Sequence, residues 1–81
     1  MVNKYIEPAR FIKMIDEAKV LNIPCAQALE QNLSALGIDS LHFIELEMLF
    51  ENQCGLKVNS LELNSKSTLL DFMESLQPIN R

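Results

Sequence analysis

Apolar residues recur every three or four positions along most of this chain, and no stretch keeps the strict alternation of a half-buried strand. The pattern predicts helices and no strand. Pro8 suits the first turn of a helix, where a missing N–H costs nothing. From there Phe11, Ile12, Ile15 and Ala18 mark one face of a helix over 8–21, with Arg10, Lys13, Asp16, Glu17 and Lys19 on the other faces. Asn22 and Pro24 are expected to end it, because the residue before a proline is pushed out of the α region. The stretch from Cys25 to Leu36 is mixed. Ala26 to Gln31 can make a turn or two of helix, and Leu29, Leu33 and Leu36 fold it back onto the core.

The next helix, over 39–53, has clear ends. Gly37 supplies backbone freedom, Asp39 is a good N-cap for the orphan amides of the first turn, and Gly55 fits the left-handed position past the end. Its apolar residues, from Leu41 and Phe43 to Leu49 and Phe50, spread around much of the circumference. Such a helix is central to a bundle, presents part of its face to partners, or both. Asn59-Ser60 can cap a short third helix over 60–65. Thr68-Leu69-Leu70-Asp71 has the form of a capping box. It opens a last helix over 68–76 with Leu69, Phe72, Met73 and Leu76 inward and Pro78 as its stop. The expected architecture is all-α: one domain over 1–81, a small four-helix bundle of three main helices and a short third one.

Composition narrows the function. At 81 residues and 48% hydrophobic, the chain is long enough for one small core and too apolar for disorder. Its net charge of −4 disfavours nucleic acid and anionic lipid, and suits a basic protein partner. The longest unbroken apolar run is Met48-Leu49-Phe50, far too short to insert in a membrane, and the N-terminal residues lack a signal-peptide h-region. A cytoplasmic location is expected. Cys25 and Cys54 have no metal-ligand spacing, and Cys54, ending an apolar helical run, reads as a buried thiol acting as a small hydrophobe.

Catalysis finds no constellation. His42 is the single histidine, and its two-residue offset from Ser40 on a helix points the two side chains to different faces. No nucleophile elbow surrounds Ser40. Glu45, Glu47 and Glu51 read as a charged face rather than an acid–base pair. What Ser40 does offer is the positive end of a helix, whose free amides and dipole favour a phosphate. Gly37 leaves its hydroxyl accessible to a modifying enzyme.

These residues also fit a family. Leu36-Gly37-Ile38-Asp39-Ser40-Leu41, followed by Glu45-Leu46, resembles the phosphopantetheine attachment motif of acyl carrier proteins, and the similarity runs without an obvious gap from Leu33 to Leu76. The resemblance implies a non-catalytic carrier. A phosphopantetheinyl transferase would move 4′-phosphopantetheine from coenzyme A onto Ser40, and an acyl- or aminoacyl-loading enzyme would charge it. Downstream synthases, transferases or tailoring enzymes would then be served by the carrier. Docking would use Leu41, Ile44, Glu45, Met48 and Glu51 on the second helix. His42, Asn52, Ser60 and Asn64 stand where fatty-acid carriers are usually acidic, which points to a specialised fatty-acid or polyketide-type pathway. His42 also offers a way for docking to vary with pH. A freestanding peptidyl or aminoacyl carrier is the close alternative, although Ile38-Asp39 before the serine fits the acyl type better. A helical adaptor in which Ser40 is only a helix-start residue is the remote one. The start at Met1 and the end soon after the last helix suit a freestanding protein, with an excised domain carrying an added Met as the alternative, and a monomer is expected. Phe43, Leu46, Phe50, Val58 and Leu63 could line an acyl cavity, but the same pattern describes a filled core, which is the preferred reading.

Overall fold

In the computed structural model, which describes residues 4–64 and 66–79, Pro8 opens helix α1 (Pro8–Ala18), with Phe11, Met14 and Ile15 as its buried face. The helix ends at Ala18, short of the expected Leu21. Lys19 takes a left-handed conformation (φ 57°), and its N–H donates to the Asp16 carbonyl at 3.2 Å. The cause lies further along the chain: the Asp16 carboxylate accepts the Cys25 N–H at 2.8 Å, so the chain reverses early. A left-handed non-glycine residue costs roughly 1–2 kcal/mol. That hydrogen bond and the complete burial of Cys25 and Ala28 in the one-turn helix α2 (Cys25–Ala28) offset the cost.

The segment after α2 is irregular but pinned. Leu33 N–H donates to the Ser67 carbonyl at 2.8 Å, Leu70 N–H donates to the Leu29 carbonyl at 3.0 Å, and Asn32 and Thr68 form an isolated antiparallel bridge. Leu33 and Ile38 enter the core. Between them Gly37 (φ 76°) makes the turn that an L side chain would strain. Asp39 and Ser40 are therefore held by a buried neighbour on one side and a helix on the other.

Helix α3 (Ser40–Cys54) lies one residue along from the expected span, within the ordinary uncertainty of helix ends. Gly55 (φ 64°) closes it, its N–H donating to the Glu51 and Phe50 carbonyls. Only Leu46 and Phe50 are fully buried on it, while Leu41, Ile44 and Met48 are exposed. After it come two short strands that the hydropathy pattern does not reveal. β1 (Leu56–Lys57) pairs antiparallel with β2 (Gln77–Pro78), Leu56 opposite Pro78. Two residues are too few to show an alternation.

The expected third helix over 60–65 is instead a single 3-10 turn, Ser60–Glu62, with Leu63 already extended. None of its three residues is buried, so no tertiary packing extends it. Ser65 lies outside the described residues. Helix α4 (Leu69–Ser75) starts on the anticipated capping box: Asp71 N–H donates to Thr68 Oγ1 at 3.2 Å, and Thr68 N–H donates to Asp71 Oδ2 at 2.9 Å. It ends at Ser75, before Pro78 can act as its stop; Pro78 belongs to β2.

Four phenylalanines join α1, α3 and α4. Phe11 stacks on Phe50 at 5.4 Å between ring centroids, and Phe72 meets Phe11 at 6.2 Å, Phe50 at 5.9 Å and Phe43 edge-on at 5.5 Å. Cys54 is not the buried thiol. It is half-buried, with Sγ 3.6 Å from the Met14 sulfur, and Cys25 is the fully buried one.

Candidate functional site

Ser40 is the first residue of α3 and its side chain faces solvent. Asp39 immediately before it caps the helix: Oδ1 accepts the His42 N–H at 2.9 Å. This backbone hydrogen bond is the largest influence holding the Asp39 carboxyl below the usual aspartate range. The His42 ring lies against the same carboxylate. Its Nδ1 is 3.3 Å from Asp39 Oδ1 and shielded from solvent, but without the alignment of a hydrogen bond, so the two form an ion pair only when the imidazole is protonated. Asp39 thus engages both the backbone and the ring of His42, and Ser40 is left open.

A capping carboxylate whose pKa falls on folding contributes fully above its unfolded value and is lost as pH drops through the lower folded value. Asparagine also caps well. Asp39→Asn is therefore expected to flatten the fall of Tm with acid below about pH 4 relative to the wild type. Circular-dichroism melts between pH 2.5 and 7 give this comparison, and superimposable profiles would contradict it.

Beside Ser40 opens a cleft of about 370 Å³ between α3 and the 60–64 segment. Leu33, Ile38, Phe43 and Leu63 give it an apolar lining, and Ser40, Ile44, Ser60 and Asn64 also border it. Of the residues considered for a cavity on sequence grounds, Phe43 and Leu63 line this cleft, whereas Leu46, Phe50 and Val58 belong to the filled core. Leu33, expected only as a core residue, and Ile38 are cleft walls that the hydropathy pattern does not reveal, because they sit in an irregular segment with no helical period.

The outer face of α3 carries Leu41, Ile44 and Met48, exposed by 69%, 51% and 55%. At successive three- and four-residue steps they form one apolar ridge, and Glu45 and Glu51 on the same helix are exposed. Glu47 is different: it is half-buried, and desolvation first, then the negative charge of Glu51 one turn on, pushes its carboxyl up.

A family profile described as a phosphopantetheine attachment site matches residues 17–76, most of the chain. The chain belongs to the phosphopantetheine-binding carrier family. Its prosthetic group is accordingly 4′-phosphopantetheine, and the carrier domain is non-catalytic. No curated protein and no solved structure gives a significant match.

The carrier's residues fit that group. The first amides of a 15-residue helix and its positive end favour a phosphodiester at Ser40. A group attached at Ser40 would have the apolar lining of the adjoining cleft beside it. The carrier's own thiols do not compete in this chemistry at neutral pH through Cys25, because burial, and secondarily the Asp16 charge, pushes that thiol up to about 11. Among the described residues, no helix is long and apolar enough to cross a membrane.

Proposed function

We propose that Ser40 bears the 4′-phosphopantetheine and that the protein is an acyl carrier of a specialised fatty-acid or polyketide-type pathway. The observation that carries this reading is an exposed serine hydroxyl at the head of α3, on the border of an apolar cleft. In the modification, Ser40 Oγ forms a new bond to the pantetheine-bearing phosphorus of coenzyme A. The phosphoanhydride bond breaks, adenosine 3′,5′-bisphosphate leaves, and the hydroxyl proton passes to a base of the transferase. When bound, the group supplies a terminal thiol that holds cargo as a thioester. The protein's own residues do the rest: they present Ser40, shield what is bound beside it, and dock partners.

Docking falls to Leu41, Ile44 and Met48 with Glu45 and Glu51, which suits an apolar patch rimmed by Lys or Arg on a phosphopantetheinyl transferase, an acyl-loading enzyme and downstream enzymes. Each exposed ion pair contributes about 0–1 kcal/mol, so the charges mainly steer encounter and select partners. Replacement of acidic positions by His42, Asn52, Ser60 and Asn64 supports a restricted set of partners. Two free cysteines suit a reducing, cytoplasmic compartment, where the carrier acts as a monomer.

The apolar lining of the cleft favours an acyl over an aminoacyl cargo. The test is to modify the protein with a broad-specificity transferase and either octanoyl- or alanyl-coenzyme A, and to compare melting with the unloaded holo protein. Burying a few methylenes at about 0.8 kcal/mol each, less the ordering cost, leaves about 1 kcal/mol. That amounts to a rise of roughly 4–8 °C for octanoyl and none for alanyl. Equal melting of all three forms would favour the aminoacyl carrier.

A further inference from the structure

The surroundings of Ser40 hold very little charge. From 31 to 44 the chain has one residue that is charged with histidine neutral, Asp39. Asp39 is also the one charged residue bordering the cleft beside Ser40, whose far wall contributes Ser60, Leu63 and Asn64. The nearest side-chain field at the Ser40 hydroxyl is therefore set by the state of this carboxylate. Among the described residues, the titratable side chain within ion-pair range of it is His42, at 3.3 Å, and His42 is the single histidine of the chain.

The contact between them has two states. With the ring neutral and its proton on Nε2, the Nδ1 lone pair lies against Asp39 Oδ1, shielded from solvent and without a hydrogen-bond partner. An orphaned, shielded polar atom is costly. Protonation puts a hydrogen on Nδ1, and a small turn of the ring makes the contact a charge-assisted bond to Oδ1. That oxygen already accepts the His42 backbone N–H at 2.9 Å, and its second lone pair is left for the ring. Other ionisable groups stand further off. Glu30 precedes the uncharged stretch, Glu45 lies one turn along α3 from His42, and Glu62 and Lys66 flank the far wall of the cleft. All four are exposed, and among the described residues none is ion-paired with His42 or Asp39.

Resting on the reading of Ser40 as the attachment residue, we propose that the His42–Asp39 pair is a proton-operated gate on the modification of Ser40. Neutral His42 leaves Asp39 as a negative charge next to the hydroxyl, which draws in the Lys- or Arg-rich surface of a transferase. Protonated His42 pairs with Asp39 and cancels that charge. The encounter then loses its nearest attraction, and transfer slows. Imidazoles ordinarily change charge between about pH 5 and 8, so the gate works close to neutrality, open above it and closed below. His42 touches no substrate in this scheme; it acts through Asp39 as a positioning residue.

The test reads transfer from saturating coenzyme A by a broad-specificity transferase, followed by intact mass between pH 5.5 and 8. Wild type, His42→Gln and His42→Lys are compared at each pH, so that the transferase's own titration cancels. Replacements are tolerated at a side chain that is 40% exposed. Wild type is expected to match His42→Gln within twofold in kcat/KM at pH 8 and to fall at least threefold below it at pH 5.5. His42→Lys, positive at every pH used, is expected to stay at least threefold below His42→Gln throughout. A ratio of wild type to His42→Gln that is constant with pH, or that rises as the pH falls, overturns this inference alone, as does a His42→Lys rate equal to that of His42→Gln. A wild type that gains no mass at any pH overturns the Ser40 reading and this one with it.

Discussion

Replacing Phe72 with alanine is expected to remove about 3–5 kcal/mol of stability, the usual loss for a fully buried phenylalanine, which combines transfer and cavity costs. The ring is completely buried on α4 and touches the rings of Phe11 on α1 and both Phe43 and Phe50 on α3. Phe72 alone meets the rings of all three other phenylalanines. A domain of 81 residues has on the order of 4–12 kcal/mol in total, so the variant should be largely or partly unfolded at 37 °C. Urea denaturation followed by far-UV circular dichroism measures the loss, with the m-value as the check that the unfolded state has not changed. Phe43→Ala supplies the contrast: its ring is half-buried and lines the cleft, so the cost should be clearly smaller. A Phe72→Ala loss below about 1.5 kcal/mol, or one equal to that of Phe43→Ala, would show that Phe72 is not the hub.

The parts of this fold legible in the sequence are those whose causes are local. The Thr68–Asp71 capping box, the Asp39 cap and the Gly55 terminus each act within one turn, and α3 and α4 begin and end close to where those residues place them. Where the cause is distant, the sequence pattern misleads. Helix α1 ends early because the Asp16 carboxylate reaches the Cys25 N–H, a contact nine residues away. β1 and β2 pair the segments that leave α3 and α4, which are far apart in sequence, and the two-residue ladder has no period to read. The site divides in the same way. Its serine and cap are visible as a motif at a helix start. The cleft is not, because two of its walls, Leu33 with Ile38 and Leu63 with Asn64, come from segments without regular structure. Hydropathy likewise gives Leu46 and Leu61 the same weight, although one is buried and the other is almost wholly in solvent.

Ser40→Ala is expected to abolish phosphopantetheinylation completely while leaving the fold in place. Wild-type protein incubated with coenzyme A and a broad-specificity transferase should gain one group by intact mass, and the variant none. The absence of any residual reaction follows from the chemistry, since without the hydroxyl there is no nucleophile at that position to accept the phosphorus. The fold should survive for three reasons. The Ser40 side chain is exposed, alanine is a good helix former at this position, and the cap is made by Asp39 with the His42 N–H rather than by the serine. Stability should therefore stay within about 0.5 kcal/mol of wild type, well separated from the collapse expected of Phe72→Ala. Ser34 and Ser60 border the same cleft and provide the internal challenge. If Ser40→Ala still gains a group, peptide mapping will locate it on one of these or elsewhere, and the assignment to Ser40 fails. A wild type that gains nothing from a transferase competent on other carriers would overturn the reading of Ser40 as the attachment residue.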